Sequence, residues 1–335
     1  MHRLILRRLV VTVLAAGLLP AVFVASPAAA APALDPQAVE SARLDTHAPV
    51  EGERSPLVLR LQVLLDRAGV SPGVVDSYLG ENVHKALDAY ARREGIAADA
   101  PLAPETVEAL IAGDGAPVLT RYAITEDDVA GPFVETIPDD YAELAEMDRL
   151  AYRGPQEMLA ERFHMDQDLL AALNPDADFS RAGTEILVAQ PGAPIDGARI
   201  ARIEVSRSLG ALRALDEAGD LVLFYPATIG SAQTPSPSGS HEVVGIAIDP
   251  AYYYRPDVNF QQGDLDEQLT IPPGPNNPVG SVWIDLSEPT YGIHGTPTPA
   301  RIDKEYSHGC VRLTNWDAEE LAGLVETGTP VEFVE

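Results

Sequence analysis

Cys310 is the only cysteine in the 335 residues, and histidines stand before it at 308 and 294. A thiol becomes a nucleophile at neutral pH only when a base or a cation sits beside it. Glycines follow both histidines, at 295 and 309, so the backbone there can turn sharply and approach a substrate closely. Together these residues fit acyl transfer, with Cys310 as nucleophile and an imidazole carrying the proton. The N–H groups of Gly309 and Cys310 are candidate donors to the tetrahedral oxyanion. In an extended segment alternate residues share a face, which puts His308 and Arg312 on the Cys310 side. His308 would tune the thiol or line the pocket. Arg312 would bind a substrate carboxylate or brace the loop. Ser307 is expected to hold that loop by hydrogen bonds, and Tyr291 to border the channel or to belong to the core. The rival chemistry is a zinc site on His294, His308 and Cys310. With one cysteine and no carboxylate at a matching spacing, no metal is expected. His84, His164 and His241 read as surface or structural residues.

Several short strands must carry this site. Ile200, Ile203 and Val205 and the run Leu221 to Tyr225 read as strands, with the turn Glu217-Ala218-Gly219-Asp220 between them. Val243 to Ile248, Val282 to Leu286 and Pro330 to Val334 continue the pattern. One helix is expected over Trp316 to Val325, with acidic residues in its first turns. The fold class is multidomain α+β: a mainly-β sandwich or barrel-like catalytic domain over 198–335, preceded by small helical modules.

The pattern Ile293-His294-Gly295-Thr296 followed by Ser307-His308-Gly309-Cys310-Val311-Arg312 resembles the signature of the L,D-transpeptidase (YkuD) catalytic domain. The likeness extends through Thr234 to Gly239 and Gly274 to Gly280, and 252–255 with 257–266 would then form a lid. It implies that His294 is the base, with its ring oriented by the Gly295 carbonyl. It also implies a peptidoglycan tetrapeptide stem as donor and a thioester on Cys310. An amine acceptor then gives a 3→3 cross-link, and carbapenems inhibit. A same-fold hydrolase, a carboxypeptidase or amidase, and a non-catalytic wall-binding protein stay open as alternatives, as does an envelope protein as acceptor.

The remaining chain divides by composition. Residues 1–30 read as a signal peptide, with Arg3, Arg7 and Arg8 before an apolar run and Ala28-Ala29-Ala30 as the cleavage site. No transmembrane anchor is expected after cleavage, and the compartment would be periplasm, or cell wall where there is no outer membrane. Residues 31–54 read as linker. Residues 55–112 give three short helices and resemble a peptidoglycan-binding domain, through Leu61-Gln62, Gly69, Asp76, Gly80, Ala86, Tyr90 and Gly95. Residues 113–154 read as an acidic linker. Residues 155–190, with two helical stripes, Leu173-Asn174-Pro175 and a Gly183-led strand, resemble the second half of a LysM repeat without its opening strand. A formal charge of −28 opposes binding to phosphate backbones, so nucleic acid is not an expected partner.

Overall fold

Residues 34–335, apart from 98, 101, 194, 196, 232, 233 and 259, are described by a computed structural model. The expected signal peptide lies outside the described residues. The stretch read as linker carries a short helix, α1 (Pro36–Ser41), followed by α2 (Pro56–Arg67). Val39 and Ala42 are fully buried in the same apolar cluster as α2, and Arg60 donates to the Ala42 carbonyl at 3.1 Å. Six residues are too few for an apolar period to show in a sequence, so this helix was not expected. Ser55 caps α2 by accepting from the Val58 N–H, and Pro56 occupies the first turn, where its missing N–H costs nothing. With α3 (Glu81–Arg93) and α4 (Pro104–Gly113), α2 buries Leu57, Leu61, Leu65, Val83, Leu87, Val107 and Leu110 together. Buried Gln62 ties down the α2–α3 connection. Its Oε1 accepts from the Asp76 and Ser77 N–H groups and its amide donates to Asp76 Oδ1.

The segment read as an acidic linker is also structured. It contains β1 (Leu119–Ala123), α5 (Glu126–Ala130) and α6 (Tyr141–Ala145), and α7 (Pro155–Arg162), α8 (Gln167–Leu173) and β2 (Glu185–Ala189) follow. β1 pairs antiparallel with β2, Leu119 opposite Ala189. The stretch 155–190 therefore has a strand partner upstream of its helices, separated from them by residues 124–154. In the acidic run at 126–128, Glu126 and Asp127 are exposed but the third residue turns inward. Asp128 is buried, and although burial would raise its pKa, bonds from the Tyr122 hydroxyl, the Thr125 backbone and Arg162 hold it at about 2.

The C-terminal half contains β3 (Arg202–Ser206), β4 (Ala211–Leu215), β5 (Leu221–Pro226), β6 (Gly239–Ile248), β7 (Tyr252–Tyr254), β8 (Leu269–Ile271), β9 (Val282–Leu286), β10 (Gly292–His294), β11 (Val311–Arg312), α9 (Asn315–Leu324) and β12 (Pro330–Val334). Eight strands are hydrogen-bonded in the order β11-β10-β9-β6-β12-β3-β4-β5, and β7 and β8 form a separate hairpin. β6 serves both halves of that sheet. Residues 239–242 pair with β12 and 243–248 with β9, across a register shift at Val243/Gly245. A bulge bends a strand and increases its twist, which gives the barrel-like curl. Inward residues of alternate strands, among them Ile203, Leu212, Tyr225, Ile284 and Val331, pack with Ala318 and Leu321 of α9. The strand pattern in the sequence missed β4, which lies inside what had read as one connection.

The helical modules are docked on this half rather than strung before it. Gly69 to Ser71 extends the β5 edge, with Ser71 N–H donating to the Phe224 carbonyl (2.8 Å) and Phe224 N–H to the Gly69 carbonyl (3.0 Å). Ser71 Oγ also bonds Asp317 Oδ2 on α9, and His164 stacks on Trp316 at 5.1 Å. Burial pushes the carboxyls of Glu161 on α7 and Asp317 on α9 up to about 8. A carboxyl whose folded pKa is raised makes the folded chain bind more protons than the unfolded one, so stability falls as pH rises. The window runs from the ordinary carboxylate range, ~4, to about 8. Thermal unfolding is therefore expected at a lower temperature at pH 8 than at pH 5. The Glu161→Gln, Asp317→Asn double variant should flatten that slope; an unchanged slope would mean these carboxyls are ionised in the folded chain.

Candidate active site

β10 brings the two ends of the site together. It pairs antiparallel with β9 and parallel with β11, so His294 lies opposite Arg312 and Ile293 opposite Val311. Cys310 precedes β11 in a bend, not in an extended strand: Gly309 has φ +119°, and a side chain there would strike the Tyr291 ring at 2.5 Å. The alternation argument for His308, Cys310 and Arg312 therefore fails locally. All three nevertheless line one cavity of about 110 Å³, with His294, Tyr291, Ser307, Thr290, Trp283, Tyr141, Tyr252 and Phe260 around them.

Cys310 is enclosed on most sides and partly open to this cavity. Its Sγ bonds the Thr290 carbonyl at 3.8 Å, and among the described residues no imidazole is hydrogen-bonded to it. Thr290 is β-branched with φ +74°, a costly conformation next to the reacting atom. Burial pushes the thiol up to about 11, against the Gly292 N–H and the Arg312 charge, which favour the thiolate. His294 is buried, stacks on Trp283 at 5.5 Å, and has Nδ1 2.7 Å from the Gly295 carbonyl. A carbonyl only accepts, so Nδ1 carries the hydrogen and Nε2 is the basic nitrogen. Burial, reinforced by Arg312, holds this imidazole down at about 3, despite the carbonyls of Gly295 and Val279. The free protein thus favours a neutral thiol and a neutral imidazole. The enclosure that shapes the pocket penalises both charges.

His308 is exposed at its edge and stacks on Phe260 at 4.4 Å; burial and then Arg312 lower its pKa. Arg312 is half-buried, forms no ion pair among the described residues, and has a buried Nε with no partner. Ser307 Oγ accepts from the Gly309 N–H (3.1 Å) and donates to the Cys310 carbonyl (2.5 Å). Gly309 N–H is therefore engaged and is not a free oxyanion donor, whereas the Cys310 N–H has no partner among the described residues. Tyr291 packs under Gly309 with its hydroxyl 3.5 Å from the Pro235 carbonyl.

Sequence reasoning missed the residues that brace this loop. Ser236 Oγ donates to the Gly309 carbonyl at 2.6 Å, and Thr234 Oγ1 to the Ser307 carbonyl at 2.9 Å. Asn315 is the larger omission. Its Oδ1 accepts from Thr296 N–H (3.0 Å) and Ser281 N–H (3.1 Å), and its Nδ2 donates to Glu161 Oε2 (2.9 Å) and the Pro275 carbonyl (3.2 Å). A Cβ on Gly295 would lie 2.2 Å from Asn315 Oδ1, so the glycine after His294 is required by this contact. Tyr141 was missed because its segment read as linker.

The sequence profile described as the L,D-transpeptidase catalytic domain (YkuD) matches residues 200–333. A Bacillus licheniformis protein carrying the YkuD L,D-transpeptidase name is 33% identical over 179 residues, 53% of this chain and 92% of that protein. Its Bacillus subtilis namesake is 31% identical over 175 residues, 52% and 89% of the two chains. Among solved structures, L,D-transpeptidase 1 of Mycobacterium tuberculosis overlaps 45% of this chain and 71% of its own at 18% identity, with a TM-score of 0.31, too low to argue from. The profile covers β3 through β12 and every residue from His294 to Arg312, and two relatives align over nearly their whole length, so the chain belongs to the L,D-transpeptidase (YkuD) family.

Proposed function

We propose that this chain is an exported peptidoglycan L,D-transpeptidase that works through a Cys310 thioester. The carrying observation is that Cys310, His294 and Arg312, which has no ion-pair partner among the described residues, line one cavity. A donor tetrapeptide stem places the carbonyl of its third residue against Sγ. Attack forms the C–S bond while the thiol proton leaves toward His294 Nε2. The tetrahedral oxyanion is met by the Cys310 N–H, and collapse breaks the amide bond, with the proton passing to the departing D-alanine amine. An acceptor amine then attacks the thioester, returns the proton to the thiol and leaves a 3→3 cross-link. Because both partners start neutral, proton transfer accompanies attack rather than preceding it.

A wider cavity of about 590 Å³ shares Tyr252, Val279, Trp283 and Thr290 with the Cys310 cavity, which gives a second peptide room to approach. Residues 1–30 serve as the export signal, and the periplasm or the cell wall is the compartment. The peptidoglycan-binding-like helices of 55–112 and the LysM-like unit hold the enzyme on glycan. Carbapenems acylate Cys310, as the family resemblance implies. Mass analysis of products from purified chain and disaccharide-tetrapeptides tests the reading. Cross-linked dimers are expected; shortened monomers alone would make the protein a hydrolase of the same fold, and no product would leave only wall binding.

A further inference from the structure

The transpeptidase match begins at residue 200, yet one wall of the Cys310 cavity comes from the insertion between β1 and α7. Leu144 and Leu150 of that insertion form a separate apolar core with Tyr254 and Ile271 of the β7–β8 hairpin. Gln262 grips it from the opposite side, accepting from Tyr141 N–H (2.8 Å) and donating to the Asp139 carbonyl (2.8 Å). Arg149 makes a bidentate pair with Asp249 at 2.7 and 2.9 Å. Leu150 N–H donates to the Pro273 carbonyl, and Asn276 N–H to the Leu150 carbonyl.

These contacts fix Tyr141. Its ring stands edge-on to Tyr252, Tyr254 and Phe260, at 6.1, 5.1 and 5.7 Å. The ring is supported from several sides, whereas its hydroxyl has no hydrogen-bond partner among the described residues. Arg312 lines the same cavity, likewise without a counter-ion among them. In a chain with 51 acidic and 23 basic side chains, a half-buried guanidinium with no carboxylate paired to it among the described residues is suited to an anion. Burial raises the Tyr141 pKa to about 12, and the opposing influence is the Arg312 charge, so the phenol remains a donor within reach of that cation's field.

We propose that Tyr141 is a substrate-contacting residue whose hydroxyl, together with the Arg312 guanidinium, holds a free carboxylate of the peptide stem. The inference rests on the reading of the chain as a transpeptidase of such stems. A tetrapeptide offers two candidates, the side-chain carboxylate of a diamino acid at its third residue and the terminal carboxylate. A donor hydroxyl and a guanidinium lining one cavity suit either, because both present hydrogens to an ionised carboxylate, which only accepts. The accessory insertion is then part of the active site and sets which stems are taken.

Equilibrium binding to the Cys310→Ala chain, where no turnover intervenes, tests this with three synthetic tetrapeptides: unmodified, amidated at the third side chain, and amidated at the terminus. Adding Tyr141→Phe keeps the ring and its packing and removes only the hydroxyl. Affinity for the unmodified stem is expected to fall about tenfold, the scale of one hydrogen bond to a charged group. For the stem lacking the relevant carboxylate the change should be less than about twofold, which also identifies that carboxylate. Equal affinity with and without the hydroxyl, or an equal loss on all three stems, would overturn the inference and leave the transpeptidase reading standing. Failure of the Cys310→Ala chain to bind any stem would overturn both.

Discussion

Cys310→Ala is expected to leave the fold intact and to abolish both the 3→3 cross-linked product and the covalent carbapenem adduct. Cys310 contributes little to packing, since it borders a cavity and its sulfur bonds only one carbonyl. Loss of a nucleophile costs on the order of 10⁶-fold in kcat in a well-studied acyl-transfer enzyme, so residual product should fall below detection. Intact-protein mass after carbapenem exposure reads the adduct, and product mass reads the cross-link. Persistence of either would move the chemistry to another residue. The same thiol carries a pH signature. With Cys310 pushed up to about 11 and His294 held down at about 3, alkylation of the free protein by iodoacetamide should keep accelerating from neutral pH well into the alkaline range. A plateau near neutrality would mean that a thiolate stands ready before substrate arrives.

Asn315→Leu should be the most damaging substitution outside the reacting groups. It removes all four hydrogen bonds of a buried amide at once. Thr296 N–H, Ser281 N–H and the buried Glu161 carboxyl lose partners, and each orphaned buried group costs about 1–3 kcal/mol. A total of about 3–9 kcal/mol is a large part of the roughly 5–15 kcal/mol that holds a folded chain together. The unfolding temperature should drop by about 10 °C or more. Activity should fall further than stability accounts for, because Thr296 and Gly295 position His294. Calorimetry alongside turnover at a temperature where the variant is folded separates the two effects. A variant that melts normally and turns over normally would show that the amide is replaceable.

That Cys310, both histidines and Arg312 gather in one place was legible because the single cysteine and the histidines are rare and their spacing is fixed by one short loop. The catalytic strands were legible because residues such as Ile203 and Val205 alternate with outward-facing ones along a two-sided sheet. Other features depended on distance in the chain. Asn315 joins Thr296 to Glu161 on α7, and nothing local marks an asparagine at a helix start as a hub rather than a cap residue. β1 lies far upstream of β2, so the pairing of the two could not be read outward from Pro155. α5 and α6 are five residues each, shorter than two helical turns, and their acidic surfaces hide Asp128 and Tyr141, which face inward. The thiol's protonation was illegible for another reason: adjacency of a cysteine and a histidine says nothing about how much water reaches them.

The backbone pairing of Gly69 to Ser71 with β5 bears on how such an enzyme can be divided. β5 ends the eight-stranded sheet, and a terminal strand stripped of its partner invites pairing with any other chain that offers one. A fragment starting at the family boundary would keep every reacting group and still present a bare, adhesive rim. The helical segment around Gly69 to Ser71 thus covers that rim, and exchanging it for an unrelated unit should carry a penalty in solubility even where the chemistry survived.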